Sequence, residues 1–169
     1  MLCSTANSEQ VIIAAIVALS CLSCGCRSNS HLPLALPSFE AYPVADAGAE
    51  KYRYRRPLQR VSRTELPERG LYAYENGSFE ADFAGLYKVI SWGCGSPCQM
   101  HAVINIEASE ILGTINSAYG GDYRLDSRLL LIDPREILLE YREHGLVNET
   151  RAYAIRQDTL YEIGSWAAW

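Results

Sequence analysis

From residue 64 onward, apolar and polar positions alternate in short runs separated by turn residues. Residues 86–92 form the first strand this pattern predicts. Residues 102–107, rich in β-branched side chains, form the next. A third, 111–115, follows a turn near Ala108-Ser109-Glu110, and Gly120-Gly121 is a break. Residues 123–132 predict one long strand. In it Tyr123, Leu125, Ser127 and Leu129 share one face, and Arg124, Asp126 and Arg128 the other. Asp133-Pro134-Arg135 makes a turn, residues 137–141 return, and residues 151–156 and 159–163 form a last hairpin about Gln157-Asp158.

Before the first strand, Thr64 to Gly70 predicts a short helical turn that stops at the glycine. Asn76-Gly77 is a turn signal. The chain shows no internal repeat and no long helical pattern. The expectation is a mainly β domain over residues 61–169, an antiparallel meander forming a curled sheet or a small barrel.

Upstream the pattern changes twice. Residues 11–26 carry no charge and open on Val-Ile-Ile-Ala-Ala-Ile-Val-Ala-Leu. A spanning helix needs about 20 apolar residues, so this run suits the apolar core of a secretory signal better. Small residues and cysteines end it, as in the cleavage box of bacterial lipoproteins. Cys26, after Gly25, is the first lipidation candidate, and Cys21, after Ala18-Leu19-Ser20, the second. Residues 1–10 lack the basic front of an ordinary signal and hold Glu9. Residues 27–60 then read as a tether punctuated by Pro33, Pro37, Pro43 and Pro57. It ends in the basic-aromatic run Lys51-Tyr52-Arg53-Tyr54-Arg55-Arg56, continuing to Arg60 and Arg63. Such a run either meets an anionic surface or pairs with acids of its own domain, and charge runs in tethers favour the second reading.

Composition narrows the function classes. A chain of 169 residues that is 49% hydrophobic supports one core. A net charge of −5 argues against nucleic-acid binding through a basic surface. Of six cysteines, four lie at or before residue 26, which leaves Cys94 and Cys98 as a close pair in the body of the chain.

That pair sits in Trp92-Gly93-Cys94-Gly95-Ser96-Pro97-Cys98. Four extended steps would hold the Cα atoms about 13 Å apart, and a disulfide needs them within about 7 Å. If the two cysteines join, the segment turns sharply, which Gly93, Gly95 and Pro97 permit. Export favours oxidation and a structural staple. The segment also resembles the thioredoxin active site with one extra residue between the cysteines, which keeps a thiol-disulfide redox role open. Against it, the residues that follow are β-like, not the long helix whose N-terminus lowers a thiol pKa. A metal site built on Cys94, Cys98 and His101 lacks a fourth ligand, so no metal is expected. No Gly-x-Ser-x-Gly, phosphate loop or placed carboxylate pair points to a hydrolase, and no cofactor is implied. Arg124, Asp126 and Arg128 are binding candidates, although an exposed ion-paired face explains them more simply.

Phe83-Ala84-Gly85-Leu86-Tyr87, Trp92-Gly93-Cys94-Gly95, Cys98 and Tyr123-Arg124-Leu125-Asp126-Ser127-Arg128-Leu129-Leu130 together resemble a group of uncharacterised bacterial envelope proteins. Its pattern is a Phe-Ala-Gly-x-Tyr strand, a Trp-Gly-Cys-Gly-x-x-Cys loop and an Asp-Ser-Arg-Leu-Leu strand, matched over residues 60–163. The resemblance implies a small β-rich protein, secreted or lipid-anchored, and carries over no catalytic residue. Glu107-Ala108-Ser109-Glu110 departs from the Asp-x-x-Thr-Gly turn of that group. The expected role is a non-enzymatic binding or structural module of the cell envelope, periplasmic or lipid-anchored in the membrane. Its partner would be an envelope protein or an anionic envelope polymer. Trp92 is a candidate contact, and Trp166 and Trp169 either cover a sheet edge or add contacts. The rival readings are a redox protein using Cys94 and Cys98, and an inhibitor of a wall-degrading enzyme.

Overall fold

A computed structural model describes residues 35–45, 55–78, 80–145 and 147–169. Cys21, Cys26, the apolar run before them and residues 51–54 of the basic run lie outside the described residues.

The mainly β expectation holds. Among the described residues, eight strands form two antiparallel sheets that do not close into a barrel. Strands β2 (Tyr87–Gly95), β3 (Cys98–Asn105) and β4 (Glu110–Ser117) make a three-stranded meander with β3 in the centre. The other sheet contains β1 (Arg56–Pro57), β5 (Gly121–Tyr123), β6 (Leu129–Ile132), β7 (Glu149–Arg156) and β8 (Thr159–Ala167), in the order β1-β8-β7-β6-β5. Helix α1 (Glu68–Asn76) precedes β2, and the one-and-a-half-turn helix α2 (Arg135–Glu140) follows β6.

Period-2 alternation sorts the apolar residues into three layers. Tyr87 and Val89 of β2, Val103 of β3 and Leu112 and Ile115 of β4 meet Leu130, Ile132, Tyr153, Ile155 and Leu160 between the sheets. On the outer face of the small sheet, Ile90, Trp92, Ala102 and Ile104 pack under Leu66, Leu71 and Tyr74 of the α1 region. On the outer face of the large sheet, Leu129, Leu131, Ala152, Ala154 and Ile163 pack under Phe39 and Tyr42.

That third layer revises the tether. Of residues 27–60, the described ones belong to the folded unit, which begins at Ala35. Phe39 and Tyr42 are buried, and Arg56 and Pro57 pair with Glu162 and Tyr161 of β8. Prolines fit here because the pairing lies on a sheet edge, where no N–H is needed. Arg56, Arg60 and Arg63 each pair with an acid of the same domain, Glu162, Glu110 and Glu75.

Three local expectations also change. The helical turn does not stop at Gly70. A 3-10 turn, Arg63–Glu65, is capped by Ser62, whose N–H donates to the Glu65 carboxylate at 2.6 Å, and α1 then runs on to Asn76. Gly70 stays inside it because a Cβ there would stand 2.9 Å from the Trp92 indole. The segment 123–132 is not one strand. It breaks at 124–128 into a corner between β5 and β6, so Arg124, Asp126 and Arg128 share no strand face. Ser127 causes much of this, since its hydroxyl lies 2.9 Å from the Phe39 carbonyl and 3.0 Å from that of Tyr42, and accepts the Leu129 N–H. Residues 137–141 fall in α2 and its C-cap, where left-handed Asp133 and then Pro134 turn the chain out of the sheet.

Candidate functional site

Cys94 and Cys98 form a disulfide with Cα atoms 5.1 Å apart. It closes the tip of the β2–β3 hairpin, where Gly95 pairs with Cys98 and carries the positive φ that a side chain would resist. The residues that follow belong to β3, so the pair does not open a helix of its own. The tip is exposed at Cys94 and part-buried at Cys98.

Two hollows lie on the α1 side of β2, near the tip. A groove of about 690 Å³ runs between α1 and β2, lined by Glu68, Arg69, Tyr72, Asn76 and Trp92 among others. A second hollow of about 480 Å³ continues past Glu68, Arg69 and Trp92 to Cys94 and Gly95. Residues 68, 69, 72 and 76 fall on one side of the helix by their three- and four-residue spacing. The Tyr72 ring stands 69% exposed on the rim. Trp92, expected as a surface contact, is instead core: it fills the space under Gly70 and offers the groove only part of its ring. Arg69 donates to the Gly93 carbonyl at 3.4 Å, which ties the helix to the stem of the stapled tip.

The other candidates fall elsewhere. Arg124 pairs with Glu40 at 3.2 Å and lies over the Phe39 ring. Arg128 is buried and donates to the Pro43 and Ile155 carbonyls, so it fastens the N-terminal segment to the sheet. Asp126 is exposed and its carbonyl accepts from Val44. The three therefore make no common site. Trp166 is part-buried against the outer layer of the large sheet, and Trp169 is exposed with Arg142 over its ring.

Two polar clamps close the ends of the inter-sheet core, and the sequence pattern did not signal either. At one end the Tyr87 hydroxyl donates to Asp158 at 2.5 Å and the Asn105 amide at 3.1 Å, joining the small sheet to the β7–β8 turn. Burial and the neighbouring Asp158 carboxylate push the Tyr87 phenol up, so it stays a donor at neutral pH. At the other end, His101 bridges Ser91 through Nδ1 and Ser117 through Nε2, both at 2.7 Å. Ser117 also accepts the Gly120 N–H, and Asp133 accepts those of Ala118 and Tyr119.

A serine bonded to a buried histidine invites a nucleophile reading. Ser91 is exposed and lines the groove beside Trp92, but His101 Nε2 meets the Ser117 hydroxyl and not a carboxylate that would orient the ring as a base. With both ring nitrogens held by hydroxyls, the arrangement acts as a strut across all three strands.

Burial holds the His101 imidazole below its ordinary value. The Asp133 charge opposes that shift and the Arg151 charge adds to it. The unfolded chain titrates near the ordinary value of about 6.5 and binds the proton first as pH falls. Stability is therefore full above that pH and declines below it. The urea midpoint should drop between about pH 7.5 and 5.5, and His101→Gln should flatten the slope. An equal slope in the variant would remove His101 as its source.

No family model, curated protein or solved structure matches the chain.

Proposed function

We propose that this chain is an exported, lipid-anchored binding module of the bacterial cell envelope, working through the groove beside the stapled hairpin. The observation that carries this is the exposed tip closed by Cys94 and Cys98 alongside that groove. Small exposed loops are held closed by disulfides mainly in oxidising compartments, which supports export. The staple removes freedom from the residues that flank Trp92, so the groove is shaped before a ligand arrives.

The resemblance to envelope proteins fits this reading, because the residues that carry it shape the fold. Phe83 is buried, and Ala84 and Gly85 turn the chain back with positive φ so that Tyr87 donates to the Phe83 carbonyl. That segment is thus a loop feeding β2, not the strand the pattern suggested. Ser127 and Arg128 hold the N-terminal layer in the same structural sense. A redox role is less well supported, since the pair lies on a hairpin and does not itself open a helix, as a thioredoxin-type site does.

Growth with a labelled fatty acid tests the location. Label should enter the protein and disappear in Cys26→Ala, or failing that in Cys21→Ala. Labelling that never appears, or that persists in the double variant, would overturn the lipid anchor.

A further inference from the structure

We infer that the occupant of the groove is a neutral glycan chain. This rests on the reading of the groove as the working surface and names its ligand class.

Three observations carry it. The first is charge. Among the described residues, Glu68 and Arg69 are the only ionised groups lining the groove, and they cancel. A polyanion would meet a carboxylate beside the single guanidinium, so charge complementarity favours an uncharged ligand.

The second is the state of the β2 edge. An extended peptide could add to an edge strand only through free backbone groups. Tyr87 exchanges its N–H and C=O with the chain at Asp82 and Phe83. The Val89 N–H donates to the Asp82 carboxylate at 2.9 Å, and the Gly93 carbonyl accepts from Arg69. Strand addition is blocked at these three positions, which leaves only the stretch around Ser91, too short for an added strand, and shifts recognition toward side chains.

The third is what those side chains offer. Asn76 commits its amide N–H to the Tyr72 carbonyl at 2.9 Å, which leaves its Oδ1 as an acceptor. Arg69 keeps donors beyond its one bond to Gly93, and Glu68 adds a carboxylate acceptor to the lining. Between them stands an exposed phenol ring. Donors, acceptors and an aromatic face over about 10.5 Å of helix, from residue 69 to 76, match the hydroxyls and the C–H face of two successive sugar rings. A purely apolar ligand would leave these polar groups without partners.

The test titrates chitotetraose and cellotetraose into the oxidised full chain and follows binding by calorimetry. One of the two should bind. Tyr72→Ala should weaken it about tenfold, the loss expected when one aromatic contact is removed, whereas Tyr72→Phe should retain it. Tyr72 is exposed, so both variants should keep the wild-type circular dichroism. Absence of binding at millimolar sugar, or binding indifferent to Tyr72→Ala, would overturn the glycan assignment. A photo-crosslinker placed at residue 72 separates the two levels of the claim. Coupling to an envelope protein without sugar binding removes the glycan and keeps the groove. Failure of both removes the groove as well.

Discussion

Tyr42→Ala is expected to destabilise the domain by about 3–5 kcal/mol, the range for removing a large buried aromatic side chain. Tyr42 is completely buried. Its ring lies with Phe39 on Leu129, Leu131, Ala152, Ala154 and Ile163, and its carbonyl accepts the Arg128 N–H at 2.8 Å. Truncation would open a cavity on the outer face of β6 and β7 and leave apolar side chains without cover. Were this segment only a tether, the same change would do almost nothing. Urea unfolding followed by circular dichroism decides between these outcomes. Val44→Ala is the control, because that side chain is 40% exposed and its loss should stay within about 0.5 kcal/mol.

Asp133→Ala should cost about 3 kcal/mol or more, while Asp133→Asn should cost much less. One carboxylate oxygen accepts the N–H groups of Ala118 and Tyr119 at 2.8 and 2.7 Å. Alanine leaves both donors without that acceptor, in a residue only 1% exposed. It also places an ordinary side chain at φ 53°, a conformation that Asp and Asn tolerate better. Asparagine keeps the accepting oxygen. The other oxygen, Oδ2, makes no hydrogen bond and lies 3.5 Å from Arg151, so replacing it with an amide removes little. Similar losses in the two variants would show that the charge, not the capping geometry, holds this end of the sandwich.

The strands of the small sheet and the last hairpin were legible because each alternates and ends at a marked turn. Gln157 and Asp158 both take positive φ there, as a tight hairpin requires. The corner at 124–128 was not legible, because its alternation imitates a strand. Leu125, which should have faced a core, is 53% exposed, and Arg128, which should have faced solvent, is buried. Nothing local announces that Ser127 and Arg128 bond to carbonyls some 85 positions earlier. Distance along the chain also hid the N-terminal layer, where prolines and short apolar runs looked like a spacer. Helix α1 was obscured by Gly70, a poor helix residue kept for the close approach of Trp92. The disulfide loop was readable as a pair from its glycines and proline. The groove was not, since its lining joins a helix that the pattern ended early to a strand that it placed correctly.

The proposed function makes Cys94 and Cys98 the scaffold of a binding surface in an exported domain. Differential alkylation of the protein taken directly from growing cells, read by mass spectrometry over a glutathione series, tests it most directly. Both sulfurs are expected to be joined already in the cell and to stay joined through the glutathione range, as structural disulfides do. The Cys94→Ala, Cys98→Ala variant should keep the fold with a loss of about 2 kcal/mol, the loop-closure value for so short a span. A pair found reduced in the cell, or cycling readily with mild thiols, would contradict the scaffold and return these cysteines to a redox role.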